Sequence, residues 1–562
     1  MSATAAIFYL KDGYHTGGQK LYGRQAASEG FLKGFVQHGT ADRLYCYTAE
    51  QSGFTEFCEQ VKPWLTRQRD VQWLPYSQPH QLAQPGAVFR PDSVITPMVW
   101  ERRFVNQQAY SICGMTHSIA SKDAMEDLGK LLLAPVQPWD ALVCPSPAVK
   151  TVVERLWATW SEYLAKRTGG HIQQEIKLPV IPLGVDCTAF PQGEQAQAIR
   201  RDLRAKWDIG QTDIVVLYVG RLSFSTKAHP VPMFMALERA AQATGAAVHL
   251  VLAGWFENET ESTTVRECAQ VFCPSVMTSC VDGRSPTIRA NVWSVADIFL
   301  SLADNIQETF GLTPIEAMAA GLPTIVSDWD GYQASVRHEI DGFRIPTVLP
   351  PPGVGLDLAW EQLSDSMPYS AYVAHTAIAT AIDIDACTQA LTTLMTNPDL
   401  RARMGAAARQ RAEQVYDWSV IIAAYERLWQ ELAEIRAIAS EVAPLAPNEP
   451  PYPLVDDPFR LFAHYPTTTL GADHRLKLGA MAKPDPLAAL RQIGITGFGA
   501  ERRLALDVQD AMLSAIAENS SLPVSTLLNR YANHDPAAFF QTLLHLLKFD
   551  ILQLEHQGIQ PK

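Results

Sequence analysis

Two glutamates eight positions apart, Glu308 and Glu316, lie between apolar runs in the stretch 297–328, DIFLSLADNIQETFGLTPIEAMAAGLPTIVSD. Along a helix eight residues cover roughly 12 Å at about 1.5 Å each, too far for both carboxylates to hold one atom but suited to opposite ends of one extended ligand. Between them, Gly311-Leu312-Thr313-Pro314 reads as a helix start, because proline in the first turn gives up only an N–H that has no helical partner. A helix start that follows a strand presents unpaired N–H groups and the positive end of the helix dipole, which suits a phosphate or diphosphate. A ligand that offers a group to a carboxylate at each end and carries an anion between them has the shape of a sugar nucleotide. A second charged pair stands in Gly220-Arg221-Leu222-Ser223-Phe224-Ser225-Thr226-Lys227, directly after the apolar run 213–219. A planar guanidinium and a mobile ammonium on a loop at a strand end make a good pair for a departing diphosphate. His117, in Gly114-Met115-Thr116-His117-Ser118, also follows an apolar run, where open α/β sheets bind their ligands. Gly17 and Gly18, after the first apolar run, let the backbone come close to a ligand at a helix start.

These side chains need a frame that brings strand ends together. Apolar runs with strand character recur at 5–10, 43–47, 110–114 and 141–144, separated by stretches of helical periodicity. That rhythm predicts a parallel sheet covered on both faces. A polar, charged stretch at 190–210 reads as a hinge, and a second strand–helix alternation opens with 213–219 and continues at 248–254. The fold class expected is therefore α/β, with two such domains.

Glu308-Thr309-Phe310-Gly311-Leu312 with Glu316, followed by Ala-Met-Ala-Ala-Gly-Leu-Pro, resembles the Glu-x7-Glu motif of retaining family 4 glycosyltransferases of the GT-B fold. The resemblance covers about residues 1–436. It implies two Rossmann-like domains facing across a cleft: residues 1–200, completed by a crossover helix at about 406–436, and residues 201–405, which hold the nucleotide sugar. It also implies that Glu308 contacts the transferred sugar, that the backbone of Thr309, Phe310, Gly311 and Leu312 binds the donor phosphates, and that Glu316 holds the ribose hydroxyls. Gly220-Arg221-Leu222 with Lys227 resembles the family's Gly-Arg-Leu…Lys motif, although Lys227 lies one residue farther from the arginine than in the commonest form. By the same resemblance Gly17 and Gly18 face the donor phosphates, His117 faces the transferred sugar, and 280–284 lies near the nucleobase. The implied donor is a UDP- or GDP-sugar, used with retention and without cofactor or metal. The acceptor is a glycan, a lipid-linked glycan or a protein. A nucleotide-sugar epimerase or hydrolase on the same fold is the first alternative, separated by product analysis without acceptor. A non-catalytic binding protein acting through its C-terminal part is the second, and the intact charged positions speak against it.

The segment 346–385, with three successive prolines, departs from the shorter family pattern and is expected to be a packing elaboration. Asp383-Ile384-Asp385 within it has metal-motif spacing but is expected to cap a helix. A proline-rich stretch, 437–455 at its widest, is expected to be a stiff linker. Residues 456–562 then read as a small, mainly α accessory domain for protein contacts, with a winged-helix shape as one form it could take.

Composition narrows the classes. The 562 residues are 47% hydrophobic and 19% charged, with a formal charge of −13, so a nonspecific nucleic-acid partner is not expected. No run of about 18 apolar residues occurs, and the N-terminus lacks a basic, cleavable leader, so membrane contact is expected to be peripheral at most and the location cytoplasmic. Nine scattered cysteines fit reduced thiols, and Cys268, Cys273 and Cys280 lack zinc-ligand spacing.

Overall fold

The structure is a computed structural model and describes residues 4–15, 23–172, 174–447 and 449–555. The chain divides into two compact units, Met1–Pro453 and Leu454–Lys562. Gly17 and Gly18 lie outside the described residues.

The first unit is built on two parallel sheets. Strands β1 (Ala6–Phe8), β2 (Arg43–Thr48), β3 (Asp70–Pro75), β4 (Ala87–Phe89), β5 (Ser111–Met115) and β6 (Ala141–Val143) stand in the order β3-β2-β1-β4-β5-β6. Strands β7 (Ile214–Arg221), β8 (Val248–Trp255), β9 (Met277–Asp282), β10 (Ile298–Ser301), β11 (Thr324–Ser327) and β12 (Gly342–Ile345) stand in the order β12-β11-β10-β7-β8-β9. Neighbours pair in parallel throughout both sheets. Strands such as β5 and β8 are buried along their whole length, which is why they read as continuous apolar runs and not as alternating ones. In each sheet the first strand lies beside the fourth, so the connections leaving these two strands run to opposite faces and open a crevice at their carboxyl ends. In the second domain those strands are β7 and β10, and they carry Arg221, Lys227 and Glu308 into the crevice. This is the GT-B arrangement of two Rossmann-like domains.

Each sheet is tied by a buried ion pair. Asp140 receives both guanidinium nitrogens of Arg102 at 2.6 Å and the backbone N–H of Ile112 and Gln137 at 2.9 Å. In the second domain one oxygen of Asp297 takes Arg204 at 2.7 Å and the N–H of Val215 at 2.8 Å, and the other takes Arg200 at 2.5 Å. Every oxygen of these carboxylates is thus answered, the condition under which a buried charge is tolerated.

The returning helix runs Trp418–Ile438 and starts later than the expected 406. The preceding helix, Pro398–Arg411, stays on the second domain, with Gly405 pressed against the Gly321 backbone. The chain crosses where Val185 donates to Tyr416 O at 2.8 Å and accepts from Trp418 N at 3.1 Å, and Asp417 caps the new helix. A Cβ on Gly184 would stand 2.4 Å from the Trp418 ring, so this glycine, with Gly30 and Gly34, makes the indole's seat.

Two sequence expectations need revision. The segment 346–385 holds the helices Leu356–Leu363 and Tyr369–Ile378 above a short antiparallel pair, Thr347–Val348 with Ala381–Ile382. It does more than pack on its own domain, since Gln362 donates to Ala120 O at 3.0 Å and Asp365 pairs with Lys122 at 2.8 Å, both in the first domain. Asp383 caps the next helix through Ala386 N, as expected. The proline-rich stretch is not a free linker up to 453. Val442 and Gln137 exchange hydrogen bonds of 2.8 and 2.9 Å, Arg103 donates to Pro451 O, and Tyr452 stacks on Trp100 with centroids 4.4 Å apart. Extended proline-rich backbone makes no internal hydrogen bonds, so its carbonyls are open to such partners.

The second unit has the helices Leu506–Asn519, Val524–Arg530 and Pro536–Lys548 around Met512, Ile516, Leu527, Phe539, Leu543 and Leu546. A three-stranded antiparallel sheet accompanies them, with Arg475–Leu478 between Leu522–Pro523 and Leu552–Leu554. Among the described residues no helix is long and apolar enough to cross a membrane.

Candidate active site

A cavity of about 820 Å³ opens between the two domains of the first unit, and His117, Arg221, Lys227, Thr309, Phe310, Gly311, Leu312, Glu308 and Glu316 all line it. Its size is that of a small-ligand site.

Arg221 ends β7, and its guanidinium is held by Thr226 Oγ1 at 3.1 Å and Glu257 at 3.3 Å. The loop that follows turns back on itself, with Lys227 N donating to Ser223 O at 3.0 Å, so the extra residue before Lys227 is absorbed in the turn. The loop after β10 is locked to it: Asn305 donates to Ser225 O at 2.9 Å and Gln307 to Thr226 O at 3.1 Å. These bonds bring Lys227 onto Glu308 as a direct ion pair. From the first domain, Ser118 donates to Gln307 O at 3.2 Å and Ser146 to Thr309 O at 2.8 Å.

The two glutamates have opposite electrostatics. Burial would raise the pKa of Glu308, but the Lys227 ammonium and the amides of Thr309 and Phe310 more than offset it, and the group lies below the ordinary carboxylate value. Glu316 sits one turn into the helix Leu312–Ala319, and burial, opposed only in part by Arg289 and Lys227, pushes it up to about 7. The Glu316 side chain makes no hydrogen bond among the described residues, so its carboxylate oxygens are available to hydroxyl donors. Gly311 enters that helix at φ +82°, and a Cβ there would meet the Tyr332 ring at 2.0 Å. The Phe310 side chain is core, edge-on to Tyr416, so this residue offers only its backbone to the cavity.

His117 faces them from the opposite domain. Its Nε2 is 2.7 Å from Pro91 O; since a carbonyl only accepts, Nε2 carries the hydrogen and Nδ1 presents a lone pair. Burial lowers its pKa to about 4, with the Pro91 bond opposing, so the ring is neutral near pH 7.

The structure adds residues that the sequence reading passed over. Asp330 has φ +38°, and its Oδ2 is buried without a hydrogen-bond partner among the described residues. Burial and then the charge of Glu308 raise its pKa, with Lys227 opposing. The adjoining Gly331 presses on the Phe310 backbone, where a Cβ would come within 2.4 Å. Arg289 and Tyr369 also line the cavity. Of the 280–284 segment only Gly283 does, while Asp282 and Arg284 pair with each other at 3.0 Å. No group of three or more potential metal ligands occurs among the described residues.

Known proteins resemble parts of this chain. A D-inositol 3-phosphate glycosyltransferase of Rhodococcus erythropolis is 24% identical over 211 residues, 36% of this chain and 46% of that protein. The enzyme of the same name from Nocardia farcinica matches at 24% over 36% of this chain and 45% of its own length. The chain thus spans about half the length of these relatives. Among solved structures, Anabaena Alr3699/HepE in complex with UDP is 15% identical, covering 76% of this chain and all of that one, with a TM-score of 0.47. Residues 199–349, the stretch holding Arg221, Lys227, Glu308 and Glu316, match the family described as glycosyl transferases group 1.

Proposed function

We propose that the protein is a retaining glycosyltransferase that moves a sugar from a nucleotide sugar to an acceptor hydroxyl without a divalent metal. One observation carries the reading: two cations and two carboxylates from separate loops and a helix start line a single cavity, with a neutral histidine opposite. Glu316 accepts from the ribose hydroxyls. Arg221, Lys227 and the amides at the start of the Leu312–Ala319 helix take the diphosphate, supplying as fixed cations and dipoles the charge that stabilises a departing anion. Lys227 is already oriented by Glu308, so it meets the phosphate without first being ordered.

Glu308, held anionic, and the Nδ1 lone pair of His117 accept from hydroxyls of the transferred sugar and fix its face. The acceptor oxygen forms its bond to the anomeric carbon on the side from which the diphosphate oxygen departs with the bonding electron pair. The acceptor proton leaves with that diphosphate oxygen. UDP- and GDP-sugars are the donors to try first.

The test is a panel of nucleotide sugars screened by thermal shift, since a ligand of the folded state raises its apparent stability. Nucleoside diphosphate release is then followed with and without an acceptor mixture, in EDTA. Acceptor-dependent release in EDTA supports the reading. Turnover that requires added magnesium or manganese defeats the metal-free mechanism, and equal release without acceptor indicates a hydrolase.

A further inference from the structure

Tyr369 lines the same cavity as Arg221, Thr226 and Lys227, yet it comes from the 346–385 segment and has no task in the reading above. Its hydroxyl is shielded from solvent and has no hydrogen-bond partner among the described residues. Folded proteins seldom leave a buried hydroxyl unanswered unless water or a ligand answers it. Burial raises its pKa to about 12, with Tyr372 adding to the rise and Arg221 opposing it, so the group keeps its proton and stands within the field of Arg221.

The phenol is also held in place. Asn305, itself buried, donates to Ser225 O at 2.9 Å and to Val373 O at 3.4 Å, tying the helix Tyr369–Ile378 to the loop between Arg221 and Lys227. The neighbouring helix reaches the first domain through Gln362 and Asp365. The segment therefore forms a fixed wall of the cavity on its cationic side.

Resting on the donor site proposed above, we propose that Tyr369 donates its hydroxyl hydrogen to a non-bridging oxygen of the donor's diphosphate, as a third phosphate contact beside Arg221 and Lys227. A neutral donor adds direction without adding charge, so the departing diphosphate is oriented while the cations stabilise it. No bond in the substrate is made or broken by the phenol.

The experiment compares the full-length protein with Tyr369→Phe, which keeps the ring and removes only the hydroxyl, after circular dichroism has shown both to be folded. UDP, GDP, uridine and guanosine are titrated calorimetrically into each, the weak nucleosides by competition. The expected result is a loss of about tenfold or more in affinity for the diphosphate that the wild type binds, with the matching nucleoside unchanged. Equal diphosphate affinity in the two proteins overturns the proposal, as does an equal loss for diphosphate and nucleoside, which assigns Tyr369 to packing alone. If the wild type binds neither diphosphate, the donor-site reading itself falls and this inference falls with it.

Discussion

Glu308 and Glu316 are chemically identical, and their surroundings give them different work. A carboxylate held below its ordinary pKa by Lys227 is a fixed anion, whereas one raised to about 7 by burial exchanges protons in the working range. Glu316→Gln is expected to weaken nucleotide-sugar binding, and Glu308→Gln to slow transfer with less effect on binding, each by the roughly 1.5–3 kcal/mol of a hydrogen bond to a charged group. Measured Kd and kcat for the two variants separate these roles, and equal, small effects on both quantities return the pair to ordinary surface carboxylates. The sign of the pH dependence follows from the raised Glu316 value. Below about 7 the unliganded group is protonated, and binding ribose through the carboxylate must release that proton, so affinity falls as pH drops, by at most about tenfold per unit. A nucleotide sugar is the right probe, because its diphosphate diester does not titrate there; in Glu316→Gln the slope should vanish. For Glu308 the loss is also on the acid side, but its lowered pKa puts that loss at lower pH. Lys227→Met removes the largest influence opposing burial, the Glu308 pKa rises, and the acid-side loss of kcat is expected at higher pH than in the wild type.

At the scale of the element, the site depends on how the chain leaves β10 and enters the Leu312–Ala319 helix. Gly311 permits that entry twice over, through its φ of +82° and through the space taken by Tyr332. Gly311→Ala is expected to cost about 1–3 kcal/mol from backbone strain alone. The ring clash adds to it, and a calorimetric Tm should show the loss together with weaker nucleoside diphosphate binding. An unchanged Tm would mean that the helix entry is not fixed as described. Most of this was readable in the sequence, because Arg221, Lys227 and Glu308 stand on loops that follow apolar runs and Glu316 lies just inside a helix start marked by Gly311 and Pro314. Other parts were hidden for physical reasons. Tyr369 reaches the cavity, and Asp330 the field of Glu308, by tertiary packing of segments whose local patterns, a helix start and an Asp-Gly pair, look the same whether or not a ligand is near. The proline-rich stretch shows a different limit. Composition gives its extended conformation but not whether its carbonyls find Arg103 and Gln137.

For the whole molecule, every residue that lines the cavity lies in the unit Met1–Pro453, and the last ordered contacts of the proline-rich stretch are those of Pro451 and Tyr452. Truncation after Pro453 should therefore leave donor binding within about twofold, while a cut at 442 removes the Val442 and Tyr452 contacts and is expected to lower stability by about 1–3 kcal/mol, the range for losing buried hydrogen-bond partners. Denaturant unfolding and donor titration of the two truncations test this. Loss of donor binding by a folded 1–453 chain would place part of the second unit in the active site.

The central claim is that this cavity holds a nucleotide sugar in one orientation, and a crystal structure with a non-hydrolysable UDP- or GDP-sugar tests it most directly. The account predicts the ribose hydroxyls on Glu316, the diphosphate between Arg221, Lys227 and the backbone at Gly311, and the sugar between Glu308 and His117. A nucleotide bound elsewhere, or lying in the cavity with its ribose toward His117, would contradict it.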